Sequence, residues 1–214
     1  MANLVEIFAG SMIVAFSGAM VPGPMLTVVV TKASEKGAWS SFFIVIGHAI
    51  LEMAVVAAFL LGILQVLDNP DVFKGIGIIG GLVLIAMGVQ IFYAIIKKTI
   101  VLDLSGERNA VDGKFAGECI ARGMLVSAIN PYWYIWWVSI GAAFLVRSVH
   151  HDISGISSFF FGHIAGDFIW YVCIGVIVSK GRRFFSQNVY RSILGICGAF
   201  LIFFGVTFLV DFLS

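Results

Sequence analysis

Six long apolar runs occupy most of the chain, and they constrain its fold more than any other feature. They fall at about residues 4–31, 40–67, 72–96, 119–146, 153–179 and 190–212. Each is long enough for a helix to cross about 30 Å of hydrocarbon at about 1.5 Å per residue. None alternates apolar and polar residues as a barrel strand does, and only 12% of the residues are charged. The sequence therefore predicts an all-α integral membrane protein with six transmembrane helices.

Lysine and arginine are distributed unevenly between the connections. Eleven lie in the connections after spans 1, 3 and 5, whereas only Lys74 and Arg147 lie on the other side. The positive-inside rule then predicts a multi-pass protein of the cell (plasma) membrane with both termini outside. The basic residues flank apolar runs and form no continuous face, which argues against nucleic acid as a partner.

One polar linker, at residues 97–118, divides the chain into residues 1–96 and 119–214, with three spans in each. Because three is odd, the second set must enter the membrane from the side opposite the first. Such an arrangement is typical of inverted-repeat transporters. The sequence thus predicts two inverted three-helix repeats that form one membrane domain.

The middle span of each half carries a histidine and an acid. Residues 47–52 read Gly-His-Ala-Ile-Leu-Glu, and residues 162–167 read Gly-His-Ile-Ala-Gly-Asp. The spacing of four places each pair, His48 with Glu52 and His163 with Asp167, on one helix face. A charge at the bilayer centre costs at least about 2.5–3.5 kcal/mol, so such residues normally face the protein interior and act there. The pairs are candidates for proton coupling or ammonium binding, and the alternative is that each is a neutral clasp between helices.

Proline motifs interrupt spans 1 and 4. They are Pro22-Gly23-Pro24 and Asn130-Pro131, ten residues before Lys32 and nine after Arg122. At about 1.5 Å per residue both breaks lie near the midplane. Two half-helix N-termini would then face a common centre suited to a small carboxylate. Two plain proline kinks are the alternative.

A helix that continued through either motif would lose hydrogen bonds, because proline has no N–H to donate. The sequence predicts that the carbonyls of Gly18, Met20 and Ser127 are left without helical partners. Aromatic residues follow the second break, and Trp133 and Trp137 are candidates for a pocket wall or gate. An interfacial aromatic belt is the other interpretation of these tryptophans.

The stretch Val-Pro-Gly-Pro at residues 21–24, the Asn-Pro at residues 130–131 and the six spans resemble the LysE (lysine exporter) family of amino-acid and metabolite exporters. The resemblance covers nearly the whole chain. It implies efflux of amino acids or related small solutes in exchange for protons, by a chain that works as a homo-oligomer. Many members carry a lysine after the Asn-Pro, where this chain has Tyr132 in the stretch NPYW, which indicates a divergent branch.

The residues and the resemblance together predict a secondary transporter, not an enzyme, that exports amino acids or related small carboxylate-bearing metabolites by alternating access of one half against the other. Its partners would be the small-molecule substrate, protons and the lipid bilayer, and no cofactor is predicted. The predicted substrate-binding residues are Pro22, Gly23, Pro24, Asn130, Pro131, Trp133 and Trp137. The predicted proton-coupling or ammonium-binding residues are His48, Glu52, His163 and Asp167.

Two other functions stay open. The same histidines and acids are nitrogen and oxygen donors acceptable to a divalent ion, so the cargo could be a metal such as cadmium or zinc. A membrane enzyme or assembly factor is less favoured, because the sequence shows no nucleophile–base arrangement, no phosphate loop and no sizeable soluble domain.

Overall fold

The computed structural model describes residues 3–62, 70–99, 112–181 and 186–213, and within these ranges the chain forms helices and no strand. The helices, in chain order, are α1 (Leu4–Ala19), α2 (Pro24–Lys36), α3 (Trp39–Leu60), α4 (Pro70–Ile96), α5 (Gly113–Ala128), α6 (Pro131–Trp136), a π-helical turn (Trp137–Gly141), α7 (Ala142–Val149), α8 (Asp152–Gly181) and α9 (Gln187–Leu213). The predicted all-α class is confirmed for the described part of the chain.

Three of the described helices are long and apolar enough to cross a membrane alone: α3, α8 and the stretch Gln187–Asp211 of α9. The pair α1 and α2 meets the same test together, and α4 contributes a shorter apolar stretch, Gly81–Ile96. By length and composition the described residues therefore supply up to four spans, where the sequence predicts six. The chain is a multi-pass membrane protein.

Both proline motifs end one helix and begin another. Pro24 and Pro131 stand at the start of α2 and α6, where a missing N–H costs no helical hydrogen bond. The axes of α1 and α2 differ by 83°, which is far more than a proline kink in a continuous helix. The prediction of broken helices at these motifs therefore holds, and the interpretation as plain kinks is wrong for the first.

The unpaired carbonyls expected at the breaks are satisfied locally in two of three cases. The Val21 N–H donates to the Gly18 carbonyl oxygen at 3.3 Å, and the Asn130 N–H donates to that of Ser127 at 3.1 Å. The prediction failed because it assumed a continuing helix, whereas a short turn at the helix end lets a nearer N–H reach the same oxygen.

Residues 100–111 of the predicted linker, like residues 63–67 of the second apolar run, lie outside the described part. At the far end of the predicted linker, α5 begins at Gly113. The Asp112 side chain caps this helix by accepting a hydrogen bond from the Phe115 N–H at 2.7 Å.

The two broken segments each pack against the middle helix of the other half. Helix α1 runs parallel to α8, and α5 runs parallel to α3, with glycines at the contacts. A Cβ added to Gly47 would lie 2.0 Å from the Ile120 carbonyl oxygen, and one added to Gly162 would lie 2.3 Å from that of Phe8. These backbones touch so closely that only glycine fits.

Helices α4 and α9 form the third pair and run antiparallel. Residues 81–88 (GLVLIAMG) and 198–205 (GAFLIFFG) share glycine, leucine, isoleucine and glycine at equivalent positions. The two segments cross each other, since a Cβ on Gly81 would meet the Gly205 carbonyl oxygen at 2.9 Å and one on Gly88 would meet that of Gly198 at 2.6 Å. Leu84 and Leu201 occupy equivalent places at the centre of the crossing and are in one buried cluster.

Candidate functional site

The two histidine–acid pairs meet in one cluster at the centre of the protein. His48 and Glu52 come from α3, and His163 and Asp167 come from α8. Their exposed fractions are 7%, 1%, 3% and 3%, so all four are buried. The sequence predicts two pairs on two helices, and the packing of α3 against α8 makes them a single site, which is referred to below as the central cluster.

Each histidine of the central cluster contacts both acids through Nε2. The His48 Nε2 lies 3.2 Å from Glu52 Oε1 and 3.5 Å from Asp167 Oδ2. The His163 Nε2 lies 3.2 Å from Glu52 Oε2 and 3.4 Å from Asp167 Oδ2. Buried ionisable groups of opposite sign compensate the loss of water only at such distances. The four side chains therefore form one charge-compensated unit, in which a change on any member changes the environment of the other three.

Two tryptophans fix Glu52 as a hydrogen-bond acceptor. The indole N–H groups of Trp133 and Trp137 both donate to Glu52 Oε1, at 3.2 and 3.1 Å. An indole N–H can only donate, so Glu52 Oε1 is the acceptor in both hydrogen bonds. The neighbouring Trp136 points elsewhere and donates to the Ser17 hydroxyl at 3.1 Å. The π-helical turn begins at Trp137, and such turns often occur at functional sites.

Ser127 on α5 sets the orientation of His48. The Ser127 hydroxyl donates to the Gly123 carbonyl oxygen at 2.8 Å and lies 2.7 Å from His48 Nδ1. Because a hydroxyl has one proton, His48 Nδ1 must donate to Ser127. The His48 Nε2 then faces the two acids, and its contact with them is favourable when this nitrogen also carries a proton.

His163 sits among aromatic rings instead. Its ring centroid is 4.6 Å from that of Trp136, 5.7 Å from that of Trp137 and 6.1 Å from that of Phe159. Aromatic faces within about 6 Å favour a cation, so this setting suits an imidazolium. In the described part of the chain its Nδ1 is buried without a hydrogen-bond partner. The two imidazoles are thus held differently, one by a serine and one by ring faces.

The Gly-His motif explains how the cluster is assembled. In each middle helix the glycine lies against a broken segment, Gly47 against α5 and Gly162 against α1. The following histidine is turned by about 100° around the helix, since there are about 3.6 residues per turn. This turn brings it toward the other middle helix, where it meets the acid of that helix, while His48 also reaches Ser127 of α5 through Nδ1.

A small cavity, called the central cavity here, adjoins the central cluster. Its volume is about 40 Å³, and its walls include Gly18, Met25, Ser127, Asn130 and Tyr171 besides the four cluster residues. This space admits a few waters at about 10–15 Å³ each. Ligand pockets are about 300–1,000 Å³, so a solute of amino-acid size requires the cavity to widen.

The two helix N-termini at the breaks are not equivalent. The Asn130 side chain accepts a hydrogen bond from the Tyr132 N–H at 3.2 Å, so α6 is capped by its own residue. Helix α2 begins after Gly23 and has no side-chain cap. Its first-turn residue Met25 lines the central cavity. Free N–H groups for an anion are therefore a feature of α2 rather than of both helices.

The structure places the predicted substrate residues around this centre to different degrees. Asn130 and Trp133 line the central cavity, and Gly23 and Pro24 line a smaller cavity beside it. Trp137 reaches the site through Glu52. Pro22 and Pro131 line neither cavity, and their effect is on the path of the backbone.

Sequence reasoning missed the Ser127 side chain and recognised Tyr171 only as an extension of the His163–Asp167 face, and both line the central cavity. Ser127 had one available signal, because it stands four residues before the second proline and at the end of α5. Tyr171 had another, since it lies four residues after Asp167 and so on the same face of α8.

The sequence was compared with known proteins. The model of the LysE type translocator family matches residues 16–212, which is most of the 214-residue chain. The chain belongs to this family. Members are transporters rather than enzymes, and the LysE-type translocator described here is a membrane exporter of small molecules. It has no match among curated proteins and none among solved structures.

Proposed function

We propose that this LysE-type translocator exports amino acids or related small carboxylate-bearing metabolites in exchange for protons. The observation that carries the proposal is the central cluster beside both helix breaks. In it the Nε2 atom of each imidazole lies within 3.5 Å of an oxygen of each carboxylate. Intramembrane ionisable groups that face a cavity normally mark a substrate or proton path. Histidine titrates near neutral pH, which suits such a path.

The charges of the cluster supply the coupling. Two carboxylates and two imidazolium groups have no net charge, whereas loss of one proton leaves one negative charge in a poorly solvated site. Such a charge is costly unless a cation replaces the proton. Arrival of a substrate ammonium group therefore favours release of one proton, and its departure favours proton uptake. One-for-one exchange is the expected stoichiometry.

The substrate carboxylate would bind at the start of α2. There Gly23 offers no side chain, the first-turn N–H groups lack a cap, and the helix dipole favours negative charge. Asn130 lines both cavities at the breaks and would contact the same end of the substrate. The ammonium end would then face Glu52 and Asp167. Trp133 and Trp137 would hold Glu52 in place rather than contact the substrate first.

We further propose that the chain consists of two inverted three-span repeats in the plasma membrane, with both termini outside. The pairing of the helices supports this. The operation that exchanges the two halves turns the α1–α8 pair into the α5–α3 pair, and it turns the α4–α9 pair into itself. The matching segments 81–88 and 198–205 support it as well. The close backbone contacts favour α1–α8 and α3–α5 as the moving units of alternating access, in place of the two sequence halves.

Replacement of the acids tests the proton-coupled proposal. Glu52→Gln and Asp167→Asn keep side-chain size and remove the charge, so we expect loss of pH-driven efflux in proteoliposomes for a panel of amino acids. Glu118→Gln is the matched control, because Glu118 is exposed on α5 and should leave the flux unchanged. Circular dichroism and gel filtration would establish that the variants fold. Proton-driven flux at the wild-type rate in both cluster variants would refute the proposal.

A divalent cation is the second candidate cargo, and one observation favours it. Ligand atoms of His48, Glu52 and Asp167 lie within 4.8 Å of one another, which is close enough to share one ion. Calorimetric titration with cadmium and zinc decides between the two, with His48→Ala and His163→Ala as variants and His150→Ala as the control on the exposed end of α7. Metal binding that the first two variants abolish would favour the metal. Heat from neither ion would exclude both as cargo.

A further inference from the structure

A second cavity, called the vestibule here, lies between α2, α4 and α9. Its volume is about 350 Å³, within the range of small-molecule sites. One wall is a polar row on α2, formed by Thr27, Thr31 and Glu35 at intervals of four residues. Gln90 of α4 and Tyr190 of α9 face this row. Among the described residues that line the vestibule, Glu35 has the one charged side chain, and it is paired with the ammonium group of Lys32 one turn earlier on α2, at 2.5 Å, so a solute ammonium group would exchange with that of Lys32.

The vestibule runs from the protein surface inward. The Glu35 side chain is 41% exposed, whereas Thr27 is 8% exposed. Eight residues separate Glu35 from Thr27, which corresponds to about 12 Å along the helix. The mouth lies where α2 and α4 end and α9 begins. These helix ends carry Lys36, Lys97 and Arg191, so the mouth belongs to the side rich in lysine and arginine.

The inner end of the vestibule stops just short of the central cavity. The Thr27 hydroxyl donates to the Gly23 carbonyl oxygen at 3.1 Å, and Gly23 lines a cavity of about 30 Å³ at the helix breaks. That small cavity shares Met25 with the central cavity. Leu84 and Leu201 line that small cavity, are 2% and 1% exposed, and pack in one cluster with Met87 and Ile91, which line the vestibule.

We propose that the vestibule is the loading site for solutes from the side rich in lysine and arginine, that it takes ammonium-bearing polar solutes through Glu35, and that Leu84 and Leu201 close it from the central cavity. The proposal rests on the proposed export function. It adds the route by which cargo reaches the site, and a gate made by the crossing of α4 and α9. Because the leucines occupy equivalent places in the matching segments, a change in that crossing moves both at once.

Cysteine accessibility tests the route. The full chain would carry alanine at Cys119, Cys173 and Cys197, with Thr31→Cys as the reporter in right-side-out and inside-out vesicles. The probe is a membrane-impermeant methanethiosulfonate with a trimethylammonium or a sulfonate head. We expect modification from the side rich in lysine and arginine only. Val89→Cys is the matched control, because Val89 faces outward beside Gln90 and should stay unmodified. Modification from the opposite side, or none, would overturn the route.

The charge preference is tested with the same two reagents. Side chains four residues apart on a helix lie about 6 Å from each other, and a unit charge at that distance in water changes a local ion concentration about threefold. Glu35→Gln should slow the cationic reagent and speed the anionic one, so the ratio of their rates on Thr31→Cys should fall about tenfold. An unchanged ratio would show that Glu35 does not select the solute.

The gate is tested with Met25→Cys as a reporter inside the barrier. Leu84→Ala or Leu201→Ala should speed its modification from the same side by several-fold, whereas Leu82→Ala on the outward face of α4 should not. Leu84→Val is the milder variant if alanine prevents folding. Equal rates in all of these proteins would rule out the gate. None of these readouts needs transport. An accessible vestibule without pH-driven flux would therefore refute the export proposal and leave the vestibule proposal standing.

Discussion

Removal of single indole N–H groups around Glu52 should cost unequal amounts of stability. Trp133→Phe and Trp137→Phe each remove one hydrogen bond to the buried carboxylate oxygen, at 3.2 and 3.1 Å. Hydrogen bonds to charged groups contribute about 1.5–3 kcal/mol, and neutral ones about 0.5–1.5 kcal/mol. Trp136→Phe is the matched control, because this indole donates to the neutral Ser17 hydroxyl. Each test variant should therefore lose about 1 kcal/mol more than the control.

The free energy of unfolding would be measured by denaturant titration of the purified protein with circular dichroism. A difference of 1 kcal/mol corresponds to about 2–4 °C in Tm for chains of about 150–250 residues. In a Glu52→Gln background the acceptor is neutral, so the excess over Trp136→Phe should disappear. Equal losses for all three tryptophans in the wild type would refute the charged acceptor, as would an excess that persists after Glu52→Gln.

Three further predictions concern the packing and the orientation of the site. Gly47→Ala should destabilise the protein by about 1–3 kcal/mol, because its Cβ would lie 2.0 Å from a carbonyl oxygen, whereas Gly117→Ala in open space should stabilise it by about 0.5–1 kcal/mol. Asn130→Ala should cost about 0.5–2 kcal/mol through loss of the α6 cap, and Asn130→Ser should restore most of it; both are measured by thermal unfolding. Ser127→Ala leaves the Nδ1–H of His48 without an acceptor and should change the pH profile of efflux, while Ser127→Thr keeps the hydroxyl and should leave that profile unchanged.

The breaks and the buried pairs were predictable because they depend on local chemistry. Proline cannot continue a helix, and a histidine with an acid in an apolar span must face protein. The partners of these residues were not predictable in the same way. Hydropathy fixes which segments are helices but not their rotation about their axes, and that rotation is what places Glu52 beside Trp133 and Trp137.

The glycine contacts show a similar limit. Glycine allows close packing of helices, but the sequence does not state which helix approaches Gly47 or Gly162. The match between residues 81–88 and 198–205 is visible in the sequence, but it contains no proline or charged residue to draw attention to it. Apolar residues can therefore indicate internal symmetry of the sequence as clearly as functional residues do.

The exchange of partners between α1–α8 and α3–α5 bears on how such a chain can be assembled. A fragment ending before residue 97 would insert with the Ser11 and Ala15 face of α1 and the Gly47 face of α3 uncovered, and with His48 and Glu52 lacking their contacts to Asp167 and His163. It would become complete by joining a second fragment inserted upside down. Under the proposed inverted-repeat arrangement, an ancestor of half this length would have worked as a pair of molecules in opposite orientations, and gene fusion would have fixed an arrangement that already existed.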